Sequence, residues 1–171
     1  MTAAVLLDTS YLISLVDATR PNHPTATKYF RQMLDESLPI YFSAVVAAEF
    51  GIKQPITDLP LQKFRHLPFN IPHGQRAAQL WNALGSRNDD TPRPVARDDI
   101  KLIAQACHER IPFILTEDAS SLHKYCDRLR DAATCQVRSI VLSAGYDPGA
   151  FRLDGQQGFD LGDDEPLQTI P

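Results

Sequence analysis

The stretch VLLDTSYLISLVD, residues 5–17, runs from an apolar triplet into a helical pattern through an aspartate. Val5, Leu6 and Leu7 read as a strand buried on both faces, as parallel sheets require. Asp8 then sits at the carboxyl end of that strand, where a charge is costly unless it is hydrated, paired or held by a cation. Asp, Thr and Ser are also good N-cap residues, so Asp8 has a second reading as the cap of the helix that follows. The other acids of the chain bear on that choice.

Outward from this stretch, strands and helices alternate. A strand over 4–8 and a helix over 10–17 are followed by a Pro-containing break and a second helix entered at His23 or Thr25. Residues 40–43 read as a strand, with Ser43 capping the helix SAVVAAEF. Four prolines in residues 53–72 leave room for a short helix and a short strand near 69–71. A helix over GQRAAQLWNALGSR ends at Gly85. A charged loop, RNDDTPRPVARD, leads to the helix DDIKLIAQACHERI, then to a strand over 112–116, a helix in EDASSLHKYC and a last strand over 136–143. This alternation predicts an α/β chain: a three-layer α/β/α sandwich around a central parallel sheet of four to five strands.

With 171 residues, the expected organisation is one domain over 1–145 and an acidic, poorly ordered tail over 146–171. The net charge of −4 is concentrated in that tail: residues 151–171 hold five acids against Arg152, leaving 16 acids and 16 bases in residues 1–150. A nucleic-acid partner is therefore permitted. No apolar run approaches the ~20 residues of a membrane helix, and the N-terminus lacks a basic signal-peptide region, so a cytoplasmic location is expected. Cys107, Cys126 and Cys135 match no zinc spacing and read as reduced residues without a catalytic role.

Ligands of open parallel sheets bind outside the carboxyl ends of the strands. Asp8 lies at one such end, and Asp118, two residues past the strand PFILT, at another. Glu49 sits in apolar helix surface beside Val45, Val46 and Ala48. Helical geometry selects between Asp98 and Asp99. At ~100° per residue, Asp99 falls on the apolar stripe of Leu102, Ile103, Ala106 and Cys107, while Asp98 falls on a polar face with Gln105 and Glu109. Inward acids without Lys or Arg raise one another's pKa. Hard divalent cations with oxygen ligands, Mg²⁺ or Mn²⁺, resolve that conflict, and such a centre suits phosphodiester hydrolysis. Thr9, Ser10 and Thr116 are candidates for fixing the carboxylates by hydrogen bonds, with capping and turn chemistry as the alternative. Asp98 remains a possible outer ligand. Arg93 and Arg97, in the loop before Asp99, are candidates for RNA phosphates, and Trp81 is read as core. An aspartyl-phosphate phosphatase would want an acid at position 10, which is Ser, and there is no phosphate-binding Gly-rich loop.

In their order and spacing, VLLDTSYLISLVD, PNHPTATKYF, SAVVAAEF, DDIKLIAQA and PFILTED resemble the PIN-domain nucleases, in particular the VapC-like toxin ribonucleases of bacterial toxin–antitoxin pairs. The resemblance covers residues 4 to about 142. It implies the acid set Asp8, Glu49, Asp99 and Asp118 holding one or two Mg²⁺ or Mn²⁺ ions. It also implies an RNA substrate, a homodimer and a small antitoxin partner. PIN members also include non-toxin nucleases of RNA processing, and a binding module without activity is a further alternative.

Overall fold

The structure, a computed structural model, describes residues 3–85 and 91–153. Its centre is a five-stranded, all-parallel sheet, order β3-β2-β1-β4-β5, flanked by six helices as an α/β/α sandwich. The strands are β1 (Val5–Leu7), β2 (Ile40–Ser43), β3 (Arg65–Leu67), β4 (Phe113–Thr116) and β5 (Arg138–Val141). The helices are α1 (Thr9–Val16), α2 (His23–Asp35), α3 (Ala44–Lys53), α4 (Ile71–Leu84), α5 (Arg93–His108) and α6 (Leu122–Asp131).

The apolar triplet of β1 pairs on one side with β2 and on the other with β4, and all three residues are fully buried. Each parallel neighbour needs a crossover, and a right-handed crossover on either side of β1 puts helices on both faces. The strand order reverses at β1, so the crevice for a ligand opens beyond the carboxyl ends of β1 and β4. There the Asp8 amide donates to the Leu115 carbonyl at 3.0 Å, tying the two strand ends together.

Several boundaries differ from the sequence expectation. The third strand is Arg65–Leu67, not 69–71. Residue 70 instead starts α4: the Asn70 side chain accepts from the His73 amide, and His73 Nδ1 accepts from the Asn70 amide. Helix α5 begins at Arg93, five residues before Asp98, with Pro94 in its first turn. Proline lacks an amide that a first turn would leave unbonded anyway, so a segment that reads as a loop is a good helix start. Arg93 and Arg97 are thus helical. On the other side, α6 starts only at Leu122, because residues 117–121 are a turn organised by Asp118.

Gln105 is a further correction. It was expected on a polar face, yet it is fully buried. Its amide donates to the Pro68 carbonyl at 3.1 Å, and its oxygen accepts from Ser43, whose hydroxyl also caps α3 by accepting from the Val45 amide. One buried amide thereby fixes α5 against the β2–α3 corner and the end of β3.

The packed chain also continues beyond residue 145. Tyr29 Oη donates to the Gly145 carbonyl and accepts from the Asp147 amide, and Gln32 donates to the Pro148 carbonyl at 2.8 Å. Phe151 is buried, with its ring 5.7 Å from Tyr29 and 5.8 Å from Phe113. Phe151→Ala is expected to cost about 3 kcal/mol in urea denaturation, as for other buried aromatics. A chain ending at Gly145 should lose at least as much. An unchanged urea midpoint would show that the segment contributes nothing to the fold.

Candidate metal centre

Asp8 stands at the N-cap position of α1, but its carboxylate caps nothing: no side-chain bond reaches the second or third amide of the helix. Instead Oδ2 accepts from Ser10 Oγ at 2.6 Å and from Thr116 Oγ1 at 2.7 Å. Both hydroxyls are themselves polarised by backbone donors. The Glu117 amide donates to Ser10 Oγ and the Asp118 amide to Thr116 Oγ1, each at 2.9 Å. With each hydroxyl's single proton spent on Asp8, the 3.1 Å approach of Ser10 to Thr116 is a contact between two acceptors. Burial pushes the Asp8 pKa up, the Ser10 and Thr116 hydrogen bonds pull it back, and the charge of Asp118 adds to the rise.

Glu49, half-buried on α3, accepts from Thr9 Oγ1 at 2.6 Å. Desolvation raises its pKa, the Thr9 bond pulls it back, and the charges of Asp8 and Asp98 add to the rise against a smaller opposing effect of Lys53. Asp99 points inward from α5 as its apolar stripe requires, with Leu102, Ile103 and Ala106 buried beside it. Burial, then Asp8, Asp118 and Glu49, push its pKa up to about 7. All four acids are therefore within electrostatic reach of one another. Asp98 is at the rim, where it accepts from Lys101 at 2.8 Å.

Sequence reasoning missed Ser121. Its hydroxyl contacts Asp99 Oδ2 at 2.6 Å and, more closely, Asp118 Oδ2. Ser121 is 2% exposed and precedes α6, yet its side chain does not cap that helix. The signal was the spacing Asp118-Ala-Ser-Ser121. An Asp organises the turn, accepting on Oδ1 from the Ser120 amide at 2.7 Å and the Ser121 amide at 3.0 Å, and aims the second serine back at the acids.

A hydroxyl has one proton to donate, and Ser121 faces two carboxyl groups. It can donate to only one of them at a time. For Asp118, burial favours protonation, but the bonds from Ser121 and Ser120 outweigh it and leave the pKa lowered. Asp99 is raised, so of the two it is the more readily protonated. Glu117 takes no part. Burial opposes its ionisation, but Asn22 at 2.7 Å and Arg20 at 2.8 Å hold it ionised and turned away.

The donor set is all oxygen and nearly all anionic, which fits Mg²⁺ or Mn²⁺ and disfavours softer metals. A cation held there would favour the ionised form of Asp99, against the burial and neighbouring charges that raise its pKa. The ring is wider than one ligand shell. Among the described residues, three ligand atoms lying within 4.8 Å of one another occur at His73, His108 and Glu109. That second group is not a metal site. His73 Nδ1 accepts the Asn70 amide, so the proton is on Nε2 and is donated to Glu109 at 2.7 Å. Ligation through Nε2 would require an imidazolate.

Arg93, Arg97 and Lys101 line a groove of about 370 Å³ with a half-buried Trp81, between α4 and α5. By helical geometry this basic row lies on the far side of α5 from Asp99. Trp81 is thus part groove and not wholly core. No helix among the described residues is long and apolar enough to cross a membrane.

No family model and no curated protein sequence matches the chain. Solved structures do match in fold. FitAcB from Neisseria gonorrhoeae superposes with a TM-score of 0.58 at 18% identity, over 85% of this chain and 99% of that one. VapBC2 from Rickettsia felis, bound to a promoter DNA fragment, gives 0.54 at 12% identity over 81% and 98%. VapC20 from Mycobacterium tuberculosis, a sarcin-ricin loop cleaving toxin, gives 0.51 at 17% identity over 79% and 99%. The chain shares the fold of these structures, a PIN-like α/β/α sandwich.

The raised acids dictate a stability profile. A carboxyl whose folded pKa lies above its unfolded value near 4 stabilises the fold fully at low pH and loses that contribution as pH rises through the folded pKa. For Asp99 the loss runs from about pH 4 to its completion just above 7, and Asp8 and Glu49 act in the same direction. In EDTA, the urea midpoint should therefore fall between about pH 5 and pH 8. Mg²⁺ should restore it at the upper end, and Asp99→Asn should flatten the profile. A midpoint that rises with pH over this window would contradict the assignment.

Proposed function

We propose that this protein is a divalent-metal-dependent endoribonuclease, the toxin of a toxin–antitoxin pair. The observation that carries the reading is the convergence of Asp8, Glu49, Asp99 and Asp118 at the switch point of the sheet, each with a hydroxyl donating to it. Asp8, Asp99 and Asp118 hold the metal, directly or through water. Glu49 is a fourth ligand or orients the attacking water. When bound, Mg²⁺ or Mn²⁺ polarises the phosphoryl oxygen and lowers the pKa of that water.

The chain's own groups set the geometry. Ser10 and Thr116 hold one oxygen of Asp8, which leaves the other for the centre. Thr9 fixes the Glu49 rotamer. Ser121 ties Asp99 to Asp118 by donating between them. Asp98 stays an outer ligand at most, since Lys101 competes for it.

The nuclease unit is assigned to residues 1–145, with 146–171 as an acidic extension whose first part packs on the unit. The protein acts in the cytoplasm, as a homodimer neutralised by a small antitoxin. Support for such partners comes from FitAcB and VapBC2, which are complexes of this fold, and from apolar side chains left bare, Ile52 at 85% exposure and Ile71 at 79%.

Cleavage of a mixed structured RNA tests the reading. Activity should require Mg²⁺ or Mn²⁺, vanish in EDTA and drop by at least about a hundredfold in Asp8→Asn or Asp99→Asn, with both variants still folded. Ser121→Ala, which removes a positioning group only, should cost about 10–100-fold in metal affinity. Undiminished cleavage by Asp8→Asn would refute the assignment. Metal binding without cleavage of any RNA would favour a PIN-fold binding module.

A further inference from the structure

Cys107 lies one residue before the end of α5, and Cys135 in the turn between α6 and β5. Both helices end in left-handed residues that are not glycine, Arg110 (φ 57°) and Ala133 (φ 53°). Such a residue costs about 1 kcal/mol or more, so the two helix ends are held by their surroundings. The bonds that close them run from the Ile111 amide to the Ala106 carbonyl at 2.8 Å and from the Thr134 amide to the Leu129 carbonyl at 2.9 Å. These turns set Cys107 and Cys135 on the wall of one cavity.

A third element closes the group. Arg76 of α4 points Nη2 at Cys107 Sγ, 3.2 Å away, and at the Thr134 carbonyl, 2.6 Å away. It thus binds one sulfur and fixes the turn that carries the other. Cys107 is half-buried, and both cysteines border a cavity of about 220 Å³, room for a small oxidant. Cys126, the third cysteine, is buried in the core and does not line it.

We propose that Cys107 and Cys135 are a modification site, a dithiol that a hydroperoxide converts to an intramolecular disulfide. Cys107 is the attacking sulfur. Its thiolate takes the distal oxygen of hydrogen peroxide, the O–O bond breaks, and the departing hydroxide leaves as water after protonation. Cys107 is then a sulfenic acid. Cys135 attacks that sulfur, the S–S bond forms as S–O breaks, and its proton leaves with the hydroxide as a second water. Two thiols are oxidised by two electrons and one peroxide is reduced to two waters.

The roles follow from the surroundings. The groups facing Cys107 are Cys135, Arg76 and His108, and all three favour its thiolate. The Cys135 thiol beside it and the Arg76 guanidinium lower its pKa, with burial acting against them. Cys135 is raised, by Cys107 and by burial, and stays a thiol until Cys107 is oxidised. Burial pushes Cys126 up to about 12, which makes it an internal control.

The test uses the full chain treated with hydrogen peroxide and followed by intact mass and peptide mapping after alkylation. The expected result is loss of two hydrogens and one crosslinked peptide pair, Cys107 with Cys135, with Cys126 labelled only after denaturation. Cys135→Ser should stop at the sulfenic acid on Cys107, trapped as its dimedone adduct. Arg76→Gln should slow oxidation several-fold and move the pH midpoint of Cys107 alkylation upward, a shift that simple loosening of the turn would not produce. Oxygen added to Cys107 while Cys135 stays alkylatable in the wild-type chain would overturn the proposal. So would a disulfide between two chains, consumption of Cys126 at the same rate, or no reaction. Asp8→Asn should oxidise like the wild type, so this result is independent of the nuclease reading.

Discussion

Parallel pairing on both sides of β1 is the constraint on which the rest of the molecule depends. Val5, Leu6 and Leu7 have neither a solvent-facing side nor a free edge. Every strand therefore runs the same way, every connection must cross over, and the carboxyl ends of the strands form one rim. Asp8 is at that rim because of where its strand lies, and Asp118 because β4 is the neighbour. Helices α3 and α5, which flank the sheet, add Glu49 and Asp99. The acids are distant in sequence and meet because of topology, which explains why no short motif contains them.

Concentrating charge in this way works against the fold. Each of Asp8, Glu49 and Asp99 is less acidic than an ordinary carboxyl because burial and the other acids oppose its ionisation. The chain could relieve this with lysine or arginine, as it does outside the cluster. Glu117 has Arg20, and Asp98 has Lys101. Inside it, the donors to Asp8, to Asp99 and, through Thr9, to Glu49 are hydroxyls. A hydroxyl fixes a rotamer and satisfies a lone pair without cancelling the charge, whereas a guanidinium would occupy the place of a metal.

The acids were legible from the sequence because strand ends and helical phase are local properties. Asp99 followed from its place on an apolar stripe, and Ser43 from its position before a helix. The errors lie where tertiary contacts override local pattern. Gln105 shares a helix face with Asp98 and Glu109, yet it is buried, because the β2–α3 corner and Pro68 offer partners that helical phase does not reveal. Pro94 made the first turn of α5 look like a loop. Residues 146–153 read as tail by composition, but Phe151 packs against Tyr29 and Phe113, and Asp147 and Pro148 bond to Tyr29 and Gln32. Ser121 was overlooked because serine after an Asp turn is common, and its second partner, Asp99, comes from a different helix.

Proton counting at Ser121 connects this arrangement to the proposed chemistry. With one hydroxyl proton between Asp99 and Asp118, Ser121 can donate to only one of the two at a time. Protonation of Asp99, whose pKa burial and the other acids push up to about 7, would ease that conflict. A divalent cation held by these acids would favour ionised Asp99 instead and let Ser121 settle on one carboxylate. The groups that raise Asp99 would then couple cation binding to proton release at neutral pH. Affinity and proton release are then two readings of a single coupling, set by burial of α5 against the sheet.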